Sequence, residues 1–114
     1  MTAARIRKTT RTVTFEVKTA KPLPVGQQVF IAGAPKPLGA WRPDGLPLTR
    51  MGENQWAGHA ILPVSDAIEY KITRGSWDTE AVNEDGLVPG NHELKPGGDV
   101  TARHAVVTWK DMLD

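Results

Sequence analysis

Nine prolines and eleven glycines, spread along 114 residues, cut this chain into short pieces. Proline removes a backbone donor and fixes φ, and glycine in a helix interior costs about 1 kcal/mol relative to alanine. A long helix cannot survive that spacing, and short strands joined by turns can. The pieces between the breakers bear this out. Val13, Phe15 and Val17 alternate with Thr14, Glu16 and Lys18, the period of two of a half-buried strand. Lys21 to Gly26 is a loop, and Gln28 to Gly33 a second strand with the apolar run Val29-Phe30-Ile31-Ala32. The stretch from Ala34 to Leu46 holds Pro35, Pro37, Gly39, Pro43 and Gly45, so it is irregular, with Trp41 inside it.

Beyond it the pattern resumes. Leu46 to Met51 reads as a short strand, Gly52-Glu53-Asn54 as its turn, and Gln55 to Leu62 as the return strand carrying Trp56. Pro63 to Asp66 turns the chain into Ala67 to Thr73, where Ile68, Tyr70 and Ile72 face one way and Glu69, Lys71 and Thr73 the other. Gly75-Ser76 turns into Trp77, and Asn83 to Asn91 is a long loop. His92 to Lys95 is a short strand, Pro96-Gly97-Gly98 a turn, and Val100 to Trp109 the closing strand, with Trp109 in the core. No segment keeps a helical apolar period for three turns. The expected fold is an all-β sandwich of about seven to eight short strands.

The length suits one domain. We expect a flexible basic tail over residues 1–11, carrying Arg5, Arg7, Lys8 and Arg11, and a sandwich domain over 12–114. The chain has no cysteine, which excludes disulfides, thiolate metal sites and a cysteine nucleophile. A formal net charge of +1 argues against a general attraction to nucleic acid or acidic membranes. No apolar run approaches the roughly 18 residues of a membrane span, and the start lacks the apolar stretch of a secretory signal. The compartment is not legible.

Catalysis finds no support in the residues. His59, His92 and His104 fall on different expected strands and show no His-x-x-x-His or Glu-x-x-His spacing, so no metal site is expected. There is no Gly-x-Ser-x-Gly elbow and no phosphate-cradling glycine loop. Glu80, Glu84 and Asp85 form an acidic stretch that reads as a solvated loop. We expect no catalytic residue and no cofactor.

The tryptophans point elsewhere. The chain has four Trp against two Phe and one Tyr, although Trp is normally the scarcest of the three. Flat indole rings stack on the apolar C–H faces of pyranose rings, a contact worth roughly 1 kcal/mol by analogy with other aromatic contacts. Two indoles set at an angle suit a curved α-glucan, and the hydroxyl edges then need donors and acceptors. Trp41 and Trp77 sit in irregular segments that can present them to solvent. Lys71 lies on the polar face of its strand, and Asn91 follows a Pro-Gly turn. Packing roles compete: Trp41 as a plug at the sandwich end, Trp77 as a core residue, Lys71 as a solvated lysine, Asn91 as a turn cap. Trp56, within a strand beside Ala57, is the more natural core residue.

At these residues the chain resembles the starch-binding domain family, carbohydrate-binding module family twenty, known from glucoamylases and cyclodextrin glucanotransferases. The resemblance runs from Thr12 to Lys110. It is carried by Val-Thr-Phe-Glu-Val at 13–17, Gln-Val-Phe-Ile-Ala-Gly at 28–33, Leu-Gly-Ala-Trp at 38–41 and Leu-Pro-Leu-Thr at 46–49. Trp56, Leu62-Pro63, Ile-Glu-Tyr-Lys at 68–71, Gly-Asn at 90–91 and Val-Thr-Trp at 107–109 complete it. The ordered set is more specific than any one piece. It implies an antiparallel, immunoglobulin-like β-sandwich and non-catalytic binding of α-glucans such as starch, glycogen, maltooligosaccharides or cyclodextrin. It also implies a first sugar site at Trp41, Lys71, Trp77 and Asn91. The family's second site sets a tryptophan between two tyrosines. Trp56 matches that tryptophan, but the only tyrosine, Tyr70, belongs to the core-side alternation. The short Thr73-Arg74-Gly75-Ser76-Trp77 segment is more similar to versions fused ahead of esterase- or phosphatase-type domains, and distantly to glycogen-binding modules of kinase regulatory subunits. The implied partners are an α-glucan and a catalytic domain in the same chain or a protein partner. The rival reading is a protein-interaction or structural sandwich that has lost sugar binding.

Overall fold

The computed structural model describes residues 9–83 and 85–113. Residues 1–8 of the expected tail, and Glu84, lie outside the described residues. Among the described residues ten strands follow in chain order: β1 Thr10–Thr19, β2 Phe30–Gly33, β3 Leu46–Pro47, β4 Thr49–Gly52, β5 Gln55–Pro63, β6 Ile68–Thr73, β7 Ala81–Val82, β8 His92–Leu94, β9 Val100–Val106 and β10 Thr108–Trp109. Single 3-10 turns occupy Lys36–Leu38, Trp77–Thr79 and Lys110–Met112, and no α-helix occurs among the described residues. One sheet runs β4-β5-β1-β9 and the other β3-β2-β6-β8, with β7 and β10 as a separate pair. The all-β sandwich expected from the breakers is the observed fold.

The alternation in β1 builds the core. Val13, Phe15 and Val17 are fully or almost fully buried and pair with Ala60, Gly58 and Trp56 of β5. From the opposite sheet come Ile31, Ile68, Tyr70 and Ile72. The Phe15 and Tyr70 rings meet edge to face at 5.1 Å and bridge the two sheets. Burying side chains of this size is worth roughly 1.5–3 kcal/mol each.

Five expectations are corrected. The strand expected over Leu46–Met51 is two strands in different sheets. The chain crosses between sheets at Leu48, whose side chain is buried and whose N–H donates to the Val29 carbonyl at 2.9 Å. The strand expected over Val100–Trp109 also divides, and β9 lies parallel to β1, Val13 opposite Val100, so the sandwich is not wholly antiparallel. The count rises from seven or eight to ten because of these divisions and the two-residue β7. Arg11, expected in the tail, is instead in β1, 4% exposed, and its guanidinium donates to the Pro63 and Asp66 carbonyls.

Candidate functional site

The site begins at Lys71, near the middle of β6 on the face away from the core. β2 flanks it on one side, with Ala32 opposite Lys71. β8 flanks the other, and the Tyr70–His92 pair leaves Asn91 next in line beside Lys71. The chains leaving β2 and β6 then fold over this face. Thr73, expected to face solvent, is fully buried instead, because its hydroxyl donates to the Pro43 carbonyl at 2.6 Å and the 34–45 loop lies on top of it.

That loop is tightly wound. Gly39 and Gly45 touch: a Cβ on Gly39 would stand 2.6 Å from the Gly45 Cα, and one on Gly45 would stand 2.2 Å from the Leu38 carbonyl oxygen. The winding forces Ala40 and Trp41 into the left-handed region, at φ 49° and 68°. Such backbone is unusual for a bulky residue and persists only where neighbours hold it. Here the Trp41 N–H donates to the Gly33 carbonyl at 2.8 Å and the Ala40 N–H to Pro35 at 3.1 Å. Trp41 is left 36% exposed.

Trp77 opens the 3-10 turn after β6 and is 37% exposed. The turn is stitched by Ser76 and Thr79: Ser76 N–H donates to the Thr79 hydroxyl at 3.2 Å, and Thr79 N–H to the Ser76 carbonyl at 3.1 Å. Behind it, Arg74 donates to Gln27 Oε1 at 2.9 Å, pairs with Asp111 and lies 5.3 Å from the Trp109 ring centre. The loop bearing Trp77 is thus fastened to the last turn of the chain.

Trp41, Lys71, Trp77 and Asn91 converge on one shallow hollow of about 330 Å³. A fifth residue, Glu80, lines it with them. The acidic stretch was expected to be a solvated loop, yet Glu80 is 7% exposed and Lys71 Nζ donates to its Oε2 at 3.2 Å. Asp85 of that stretch is exposed as expected and accepts the Leu87 N–H at 3.0 Å. No periodicity marks Glu80. Only the fold brings it to Lys71. The hollow therefore carries two half-open indoles, an ammonium balanced by a carboxylate, and an amide. That chemistry suits a neutral ligand with apolar faces and hydroxyl edges.

Trp56 is elsewhere. It pairs with Val17 on the core face, is 3% exposed, and carries the Arg50 guanidinium 5.4 Å from its ring centre. It helps line a separate hollow of about 570 Å³ together with Met51 and Arg103. The resemblance matches only the tryptophan of the family's second site, without its two tyrosines, and here that indole is buried with the Arg50 guanidinium over its ring, which leaves little face for stacking.

The histidines also regroup. His92 and His104, distant in sequence, lie with ring centres 4.4 Å apart and planes tilted by 44°, and the Tyr70 hydroxyl shares a 2.6 Å hydrogen bond with His104 Nε2. Burial, then the neighbouring His92, lowers the His104 pKa to about 4. Burial and the Lys71 charge lower that of His92. Burial pushes the Tyr70 hydroxyl up to about 12. No group of three residues able to hold a metal occurs among the described residues.

The comparisons with known proteins agree with this architecture. Among curated proteins, the chain is 35% identical over 100 residues to an alpha-amylase of Niallia circulans, covering 87% of this chain but 8% of that protein's length. Among solved structures, it superposes on the family 20 carbohydrate-binding module of the maltotetraose-forming amylase from Pseudomonas saccharophila with a TM-score of 0.60 and 20% identity, over 82% of this chain and 98% of that one. It superposes on the glucoamylase of Hypocrea jecorina with a TM-score of 0.65 and 23% identity, over 89% of this chain and 18% of that one. At such identities the structural likeness speaks for the fold. The sequence model described as the starch binding domain matches residues 10–104, from the start of β1 into β9, and the chain belongs to that family.

Proposed function

We propose that this domain binds α-glucan chains without acting on them. Trp41 and Trp77 stack on glucose units, and Lys71 and Asn91 hydrogen-bond their hydroxyls. The observation that carries the reading is the convergence of two half-exposed indoles, from separate segments, on one hollow with a polar floor. A tryptophan held at φ 68° with its ring open to solvent is a strained and exposed apolar group, which a purely structural role does not require. Membership of the starch-binding family supports the same ligand class. So does the company this module keeps, since the relatives it matches include an alpha-amylase and a glucoamylase. A catalytic domain in the same chain is the natural partner, the module holding it at a polymeric substrate.

The hollow is shallow and open to solvent, so affinity is modest: a Kd between micromolar and millimolar, roughly 4 to 8 kcal/mol. The test is a titration with β-cyclodextrin or maltoheptaose, followed by intrinsic tryptophan fluorescence. A saturable change, lost in Trp41→Ala and Trp77→Ala while both variants stay folded, is the expected result. A folded domain that does not respond to millimolar sugar rejects the reading and turns the search to protein partners for the Trp41–Trp77 surface.

A further inference from the structure

We infer that His92 and His104 form a proton-operated latch between the two sheets: protonation of the pair parts β8 from β9 and draws Asn91 away from the hollow. The latch itself does not depend on what the hollow binds. Its effect on sugar affinity rests on the α-glucan reading above.

β8 and β9 are the outermost strands of their sheets, and no ladder joins them. His92 stands opposite Tyr70 of β6, and His104 opposite Val17 of β1. Tyr70 and Val17 belong to the core, so both imidazoles lie on the inward faces of their sheets. There the half-buried rings meet at 4.4 Å, with the Tyr70 ring 5.4 Å from one and 5.5 Å from the other. The contact closes the side of the sandwich on which the two sheets have no backbone bond between them.

Nothing beside the pair neutralises an added charge. On β6, Tyr70 faces it, and the Lys71 ammonium on the far face is a further cation that acts on His92. Glu69 and Glu93 stand opposite each other on the outer face of that sheet. Glu16 and Arg103 bond to each other on the outer face of the other. From β1 the inward neighbours are Phe15 and Val17, apolar and buried. Among the described residues no carboxylate bonds to either imidazole. The Tyr70 hydroxyl can donate to a neutral His104 or accept from a protonated one, so it tolerates a first proton. It offers nothing to the second. Two imidazolium ions this close, half-buried and poorly screened, repel. The same crowding and burial lower the His104 pKa to about 4 and shift His92 the same way.

β8 is the strand that yields. It has three residues and pairs with β6 alone, whereas β9 is held by a seven-residue register with β1. Asn91 directly precedes β8 and lines the hollow, so parting of β8 moves its amide away from Lys71. Trp41 and Trp77 lie on other segments and stay in place, so acid weakens binding without abolishing it. With β8 parted, the rings take up protons near the ordinary imidazole value of 6.5; with β8 seated, His104 does so only near 4. Acid therefore favours the parted state from about 6.5 downward, and the gain is complete near 4.

The experiment is amide hydrogen exchange of the sugar-free domain at about pH 7 and about pH 4.5, for wild type and His104→Gln, each rate expressed as protection relative to an unstructured peptide at the same pH. In wild type, we expect protection of the β8 amides to fall at least about tenfold on acidification, and that of β1 and β5 to fall less. In His104→Gln, the β8 loss should shrink to about threefold or below. Protection of β8 that falls no more than that of β1, or falls equally in the variant, overturns the latch. If His104→Gln does not fold, His92→Gln makes the same test from the other strand, and the wild-type comparison of β8 with β1 decides by itself. Calorimetry with maltoheptaose at about pH 7 and about pH 5 then reads the effect on the hollow. Wild type should lose about threefold or more in affinity, and His104→Gln distinctly less. An equal loss in both overturns the coupling to Asn91. Absence of wild-type binding at either pH removes the α-glucan reading alone, and the exchange result still decides the latch.

Discussion

At the scale of single residues, Trp41 couples strain to exposure. Its backbone sits at φ 68°, where an L-residue with a side chain is disfavoured by about 1–2 kcal/mol and glycine is not. Trp41→Gly should therefore be more stable than Trp41→Ala by roughly 0.5 to 1 kcal/mol, the relief being partly offset by the greater freedom of glycine in the unfolded chain. Both variants should lose sugar binding. Urea denaturation beside the fluorescence titration separates the two effects. His104 gives a second prediction at this scale. Its pKa falls from 6.5 to about 4 in the folded domain, through burial and then through His92. The unfolded chain takes up the proton first as pH falls, so the contribution of neutral His104 is complete above about 6.5 and is lost between there and about 4, where the loss levels off. His92 shifts in the same direction, with Lys71 adding to burial, and Tyr70 stays protonated throughout. A plot of denaturation midpoint against pH should slope downward over that interval on acidification. His104→Gln, which can keep a bond to the Tyr70 hydroxyl, should make the slope shallower.

At the scale of elements, the site is two loops pinned to one strand. The 34–45 loop depends on the contact between Gly39 and Gly45. Gly45→Ala would place a methyl 2.2 Å from a backbone oxygen that has no rotamer to escape with. The loop must shift, at a cost of about 1–3 kcal/mol as in other overpacked sites. Trp41 should move with it, so thermal unfolding and sugar affinity should fall together. The Trp77 loop depends instead on the Arg74–Asp111 pair, in which the arginine side chain is 5% exposed and the aspartate 40%. Asp111→Ala leaves the buried guanidinium without this carboxylate, though still bonded to Gln27, and should cost about 1–3 kcal/mol. Hydrogen exchange should then show faster opening at residues 74–80 than in wild type. The sequence shows both loops as irregular stretches, because their prolines and glycines exclude regular structure locally. It does not show the clamps. Arg74, Gln27 and Asp111 are far apart along the chain and ordinary in type, and only the closing of β10 against β7 brings them together.

At the scale of the whole molecule, the sandwich is one core shared by two sheets. Phe15 is fully buried against Tyr70 of the opposite sheet. Phe15→Ala should cost about 3–5 kcal/mol, a large part of the stability of a domain this size, and should lower the urea midpoint without changing which residues line the hollow. The pieces of that core were readable from the chain, since the alternation at Val13, Phe15 and Val17 and at Ile68, Tyr70 and Ile72 assigns each side chain to a face by local geometry alone. The same local rule placed Lys71 away from the core, and the irregular segments around them singled out Trp41 and Trp77 among the four tryptophans. What local rules cannot hold is pairing at a distance. The crossing of the chain between sheets at Leu48 and the parallel register of β1 and β9 both depend on which strands become neighbours. Glu80 belongs to the same class. By sequence it is one carboxylate of an acidic loop; by structure it is the buried partner of Lys71. The alternation of faces is a property of consecutive residues, so the sequence determined it unaided. Partnership across the sheet is settled only when burial of the whole core selects one register, and the tertiary structure alone decided that.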